Sequence, residues 1–472
     1  MKHIMTDEGM VMVMQGVPGW MFALAVGLVI TLTFVLVERA GLADTDRFRI
    51  DLTSRGPLRG LLRKRWFQPA IQLPILVLFL LTVVAGLFGS SGRNIAPVLV
   101  WTVWWAGLIF GVALAGNIWC AVCPWDALAN LVSRAVPWRR GAVRSLGLPW
   151  PAWGSTVYPA LILFVGVTWA ELGWGITNDP RTTAVLGALM ALGAMGMALL
   201  YDRKVFCRSV CLVGRTSGMY AMFAPFEIRP ADTDACDVCQ TRACLNGNNR
   251  GYACPTGLDL GQTNENTYCT LCTECFKSCK VPALRVRPFG RDLSRVKRWR
   301  TDEALLALTL LALTGFHGLS MTPVWENFEP GTTDLVGLIR QSLSISSLSA
   351  FTVGMAGVMA LPFAAYAALT WVAWRWVRDA TGASYRELLV GYAYAVLPVA
   401  LFYHLAHNAM HLFMEGQEVI PLLSDPLGTG ANWFGTAGWH PGPLLSMQSV
   451  WLLQVLLVVV GHVFGVIVSH RI

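Results

Sequence analysis

Charged side chains make up only 14% of this 472-residue sequence, and long stretches contain none. That scarcity excludes an ordinary soluble domain, in which about a quarter of the residues are charged. Cysteine is absent before position 120 and after position 279, so any thiol chemistry is confined to the middle of the chain. A basic leader is missing too. Asp7 and Glu8 precede the first apolar stretch, and no small-residue cleavage pattern comes before Glu38. That stretch is therefore expected to be a membrane span rather than a signal peptide.

What is abundant is apolar sequence, at 55% of residues. A hydrocarbon core of about 30 Å needs roughly 20 apolar residues per helix. Nine such stretches lie near 18–37, 70–88, 95–115, 152–174, 182–201, 303–321, 350–374, 388–414 and 447–468. The expected fold is an all-α polytopic membrane protein of about nine transmembrane helices. With the N-terminus outside and the C-terminus inside, 32 of the 36 Lys and Arg residues fall on the inner side, leaving Lys2, Arg93, Arg181 and Arg340 outside. Basic residues concentrate in this way on the cytoplasmic side. The net charge of +8 is thereby explained by topology and anionic membrane lipid, with no nucleic acid partner. The expected location is a bacterial inner (cytoplasmic) membrane.

The twelve cysteines all fall at or beyond the inner face of this arrangement, where disulfides are not expected. Cys236, Cys239, Cys244 and Cys254 read C-x2-C-x4-C-x9-C-P, and Cys269, Cys272, Cys275 and Cys279 read C-x2-C-x2-C-x3-C. The second spacing lets three thiolates surround one four-iron cluster while the fourth ligates its neighbour. Applied to these positions, Cys254, Cys269, Cys272 and Cys275 hold one 4Fe-4S cluster, and Cys236, Cys239, Cys244 and Cys279 hold the other. Zinc is the competing ligand, but zinc sites use two separated C-x2-C pairs and leave a third cysteine at x2 without a task. Two further pairs, Cys120 with Cys123 and Cys207 with Cys211, follow the third and fifth apolar stretches and form a candidate membrane-edge redox or metal site.

Residues 70–300 resemble the NapH/NosR/CcoG-like membrane polyferredoxins. The stretches GNIWCAVCPWDAL at 116–128 and KVFCRSVCLVGRTSGMYA at 204–221 look like that family's paired membrane-edge motif. The resemblance implies membrane spans joined to a cytoplasmic domain with two four-iron clusters, serving a respiratory or metalloenzyme-maturation system. Three departures stand out. The family pattern is C-x3-C-P at both membrane-edge sites, whereas this chain has C-x2-C-P and then C-x3-C followed by Leu212. Lys280 stands where a proline normally follows the fourth ferredoxin cysteine, and the first ferredoxin motif carries the insert LNGNNRGYA at 245–253. The expected organisation is spans 1–5 with the membrane-edge cysteines over 1–201, a ferredoxin-like domain over 202–302, and histidine-bearing spans over 303–472.

The C-terminal part has no cysteine but holds most of the eight histidines. His404, His407 and His411 are spaced by three and four residues, which places them on one helical stripe. His317 lies near the outer end of the sixth span, so a common depth exists for these four. They are the candidate ligands of a haem b or a copper ion. His462, alone in the last span, is read as an interhelical hydrogen-bonding residue. The loops at 322–349 and 415–446 carry Trp325, Glu326, Glu329, Glu415, Glu418, Asp425, Trp433 and Trp439, a mixture suited to a lid or docking surface. The C-terminal bundle also faintly resembles uncharacterised bacterial multi-pass membrane proteins, some of which carry a hydrolase name. No nucleophile and base constellation supports hydrolysis here. The expected function is electron transfer between a cytoplasmic or quinone donor and a membrane or periplasmic acceptor, through a redox partner protein or quinone. The alternative is a copper transport or assembly factor with redox-active clusters.

Overall fold

The computed structural model describes residues 2–6, 9–13, 18–39, 48–54, 56–134, 143–201, 204–295, 299–326 and 334–470. Asp7, Glu8, Arg203 and Glu329 lie outside them. The chain is a mostly helical, polytopic membrane protein. Its long helices, each on one of the apolar stretches, are α1 (Gly19–Arg39), α2 (Phe67–Phe88), α3 (Ile95–Ala115), α5 (Tyr158–Gly173), α6 (Pro180–Leu200), α8 (Thr301–Ser320), α10 (Ser347–Thr381), α11 (Tyr385–Met414) and α12 (Met447–Ser469). Shorter helices are α4 (Pro124–Ser133), α7 (Leu212–Tyr220) and α9 (Leu335–Leu343).

Seven of the helices are long and apolar enough to cross a bilayer: α2, α3, α6, α8, α10, α11 and α12. Among the described residues the other two apolar stretches give shorter apolar helices. In the fourth, a 3-10 turn at Ala152–Ser155 comes first and the helix begins only at Tyr158, leaving 16 residues. At 1.5 Å per residue that is about 24 Å, less than a hydrocarbon core. The part of α1 with described side chains is Gly19–Val35, within a helix of 21 residues. α3 is not regular throughout, because Val98–Trp105 forms a π-helical segment in its first half.

Burial separates the centre of the bundle from its rim. The apolar windows of α8 and α11 are 61% and 67% buried, whereas those of the other five spans are at most 28% buried. α11 packs against both α8 and α12, and the rim helices turn residues such as Leu73, Val77, Leu361 and Leu369 outward, as lipid-facing helices do. α11 starts with a capping box in which Ser384 and Glu387 satisfy each other's backbone N–H groups. α3 and α6 both run toward the cysteine-bearing segment, and α8 leaves it, so one end of the bundle is the cysteine end.

The fold is not purely helical. A hairpin pairs β1 (Lys2–Thr6) with β2 (Gly9–Val13). At the cysteine end, β3 (Ile50–Asp51), β4 (Phe226–Pro230) and β5 (Pro282–Val286) make an antiparallel sheet in the order β3-β5-β4. The cysteine-bearing segment therefore borrows an edge strand from the loop between α1 and α2. That loop is tied down further: Thr53 Oγ1 accepts the Leu284 N–H at 3.0 Å, and the Arg65 guanidinium donates to the carbonyls of Asn249 and Arg250 at 2.7 and 3.1 Å.

Candidate functional site

The cysteines gather into three groups. Cys236 lies on a short helix at Asp234–Asp237 and Cys244 on another at Ala243–Asn246, with Arg242 between them in the left-handed region at φ 42°. Burial pushes the Cys236 thiol up to about 11, and Cys244, Cys279 and Cys239 beside it add repulsion. Cys239, the most exposed, is lowered by hydrogen bonds from Thr241 and Arg242. Cys279, of the second motif, is thus close enough to the first to act on Cys236 and Cys244.

The second group is the converse. Cys254, Cys269, Cys272 and Cys275 line one cavity of about 40 Å³, and Cys244 lines it with them. Leu271 and Thr273, at φ 50° and 63°, curl the backbone on either side of Cys272. Non-glycine residues adopt that conformation at a cost, which marks the loop as constrained. Burial pushes the Cys269 thiol up to about 12, with Cys272 and Cys254 adding to it. Backbone N–H groups are turned toward sulfur: Leu258 donates to Cys254 Sγ at 3.3 Å and Val281 to Cys279 Sγ at 3.4 Å.

The third group stands at the edge of the bundle. Cys120, Cys123, Cys207 and Cys211 line a cavity of about 20 Å³ together with Trp119, Trp125, Asp126, Lys204 and Thr270. Gly116, at φ 69°, ends α3 and turns the chain into this site. Lys204 is held 2.6 Å from Asp126, so its charge is largely answered there. Burial dominates the thiols, and Cys123 and Cys207 are raised well above the ordinary range. The second and third groups touch, because Thr270 follows Cys269 and Asn117 Nδ2 donates to the Cys269 carbonyl at 3.0 Å.

Beyond the third group lies a feature that the sequence reading missed. A cavity of about 300 Å³ opens among α2, α3, α5 and α6, lined by Trp101, Trp104, Trp105, Trp119 and Trp125, many aliphatic side chains, and Glu171. It shares Trp119, Trp125 and Val213 with the third cysteine group. The indole N–H groups of Trp104, Trp119 and Trp125 are buried without a hydrogen-bond partner. The signal was present in the run VWTVWW at 100–105 and in Glu171, a carboxyl inside an apolar stretch.

The four candidate histidines divide. His404 is set apart, with Nδ1 hydrogen-bonded to the Tyr220 hydroxyl and Nε2 3.0 Å from Thr314 Oγ1, which occupies both ring nitrogens. His317 and His407 pack ring to ring with centroids 4.3 Å apart, and His407 meets His411 at 4.9 Å. His317 Nε2 is 3.9 Å from Glu171 Oε1, and His411 Nδ1 is 3.3 Å from Glu415 Oε2. Rings in contact leave no gap for a porphyrin plane between His317 and His407. Among the described residues no group of three or more His, Cys, Asp or Glu could hold one metal ion. A four-iron cluster makes a different demand, because its ligand sulfurs are spread around a cube rather than drawn to a point. His462 turns Nδ1 to the Val458 carbonyl of its own helix at 2.8 Å and meets the Tyr403 ring of α11 edge-on, so that hydrogen bond lies within α12 rather than between helices.

Comparison with known proteins adds little. No family model matches the chain, and no solved structure matches it. An uncharacterised protein of Methanocaldococcus jannaschii is 27% identical over 186 residues, which are 39% of this chain and 69% of the archaeal protein.

Proposed function

We propose that this chain is a membrane-integral iron–sulfur electron-transfer protein of a bacterial inner membrane, exchanging electrons between a cytoplasmic partner and quinone. The observation that carries the reading is that Cys254, of the first motif, shares a cavity with Cys269, Cys272 and Cys275 of the second, with Cys244 lining it too, while Cys279 is close enough to Cys236 and Cys244 to act on both thiols. Two interleaved four-iron clusters require that crossing, whereas two zinc sites built from separate pairs do not. A four-iron cluster, when bound, accepts and releases one electron at a time.

The chain's own residues then supply a path. The first two cysteine groups meet at Cys244, the second and third at Thr270, and the third shares Trp119 and Trp125 with the large cavity. Each group is thus a neighbour of the next. An apolar cavity within the membrane suits a lipid-soluble quinone, whose carbonyl oxygens accept from unpartnered indole N–H groups. Cys120, Cys123, Cys207 and Cys211 stand between the clusters and the quinone cavity. The copper-handling alternative has weak support, because His404 is engaged by Tyr220 and Thr314 while His317 and His411 face carboxylates.

The test is metal analysis of anaerobically purified protein with its optical and EPR spectra. About eight irons per chain with matching acid-labile sulfide are expected for two clusters. Stoichiometric zinc without sulfide would overturn the reading.

A further inference from the structure

The histidine row ends at a carboxyl group on the wall of the large cavity, and that juxtaposition gives the row a task that metal binding does not. Glu171 lines the cavity. From it the row runs through His317, His407 and His411 to Glu415, with separations of 3.9 Å, 4.3 Å and 4.9 Å between rings, and finally 3.3 Å. Side-chain exposure is 12% at Glu171, 20% at His317, 23% at His411 and 29% at Glu415, so the row climbs from the interior toward the surface. Glu415 caps the end of α11, remote from the cysteines.

We propose that Glu171, His317, His407, His411 and Glu415 form a proton-transfer row joining the tryptophan-lined cavity to the surface at the end of the bundle away from the cysteines. The inference rests on the reading of the cavity as a quinone site. Reduction of a quinone to quinol adds two electrons and two protons, one O–H bond forming at each carbonyl oxygen, and oxidation reverses both. Electrons move on the cysteine side. The protons need another route, since the rest of the cavity wall is apolar apart from threonines and indole groups. An imidazole receives a proton on one nitrogen and releases it from the other, so a row of them passes protons without holding a charge in the apolar interior for long. A purely structural polar pair would need only Glu171 and His317. Three further ionisable residues in register, ending at a helix terminus, are what a path requires. His404, engaged by Tyr220 and Thr314, lies off the row.

The test follows proton access to Glu171 itself, without electron-transfer activity. In the intact reconstituted protein, the infrared band of the protonated Glu171 carboxyl is identified by its loss in Glu171→Gln, and its shift is timed after transfer to heavy water. His407→Phe is expected to slow that exchange by about tenfold or more. Glu415→Gln, a change at the half-exposed end with little consequence for folding, is expected to slow it in the same sense. Exchange as fast as in the parent protein in both variants overturns the proposal, and so does the absence of any band that Glu171→Gln removes. Quenching of tryptophan fluorescence by decylubiquinone is measured alongside. Slowed exchange without quenching leaves the row standing and removes the quinone reading of the cavity.

Discussion

Cys279 follows Cys275 by three intervening residues, yet its thiol acts on Cys236 and Cys244 of the other motif. A substitution there separates the crossed arrangement from a simple one. Cys279→Ala is expected to weaken the EPR signal and iron content of the group held by Cys236, Cys239 and Cys244 while leaving that of Cys254, Cys269, Cys272 and Cys275. Loss of only the latter group would show that the ligands follow sequence order. A second residue-scale expectation concerns acids near the cysteines. Burial raises Glu265 from 4.5 to about 7, with Glu303 and Asp292 adding repulsion, and Asp292 is itself raised by burial from 3.8 to about 6. In both cases the folded state holds a proton that the unfolded chain gives up at lower pH. Stability from these groups is therefore full below the unfolded values, falls as pH rises through the window from about 4 to about 7, and is lost above it. Glu265→Gln removes that cost. Its thermal midpoint is expected to match the parent's at pH 4 and to exceed it at pH 8; a gain confined to acid pH would refute the assignment.

At the scale of elements, the tightest contact near the cysteines is between α7 and the loop that precedes Cys269. A Cβ on Gly218 would stand 2.4 Å from the Thr267 carbonyl oxygen, and both partners are backbone or helix with little freedom to yield. Gly218→Ala is expected to cost about 1–3 kcal/mol and to loosen Tyr268 from its hydrogen bond with Glu303. The check is the thermal midpoint together with alkylation of the buried Cys211. The helices themselves were legible in the sequence, because apolar runs of about 20 residues declare a span without any knowledge of its neighbours. In the fourth run the helix starts later than expected, since its first residues are apolar but Pro151 and the 3-10 turn at Ala152–Ser155 delay it to Tyr158. The strand at Ile50–Asp51 was not legible: two residues carry no periodicity, and the pairing partner lies more than two hundred positions away. Cysteine spacing revealed the two motifs. The cavity and the row from Glu171 could not be read the same way, since they depend on which faces of α2, α3, α5, α8 and α11 meet.

At the scale of the whole molecule, the two ends of the bundle are chemically opposite. All twelve cysteines lie at or near one end, and Glu415 and the carboxylate end of the histidine row lie at the other. Thiolate clusters need a reducing compartment during assembly, and protons delivered through the row emerge on the opposite side, so the sidedness of the chain decides whether the proposed chemistry moves charge across the membrane. The distribution of basic residues is the ground for proposing that the cysteine end faces the cytoplasm. Arg93, Arg181 and Arg340 are the described basic residues on the other side, and each lies in or beside a connection at the remote end of the bundle, after α2, at the start of α6 and in α9. Reporter fusions within 89–94 and 322–349 are accordingly expected to give a periplasmic signal, and fusions within 202–302 a cytoplasmic one. A cytoplasmic signal from both of the first two sites would place the cysteines outside. Quinone oxidation would then release its protons inward, and the orientation proposed for the electron path would fail with it.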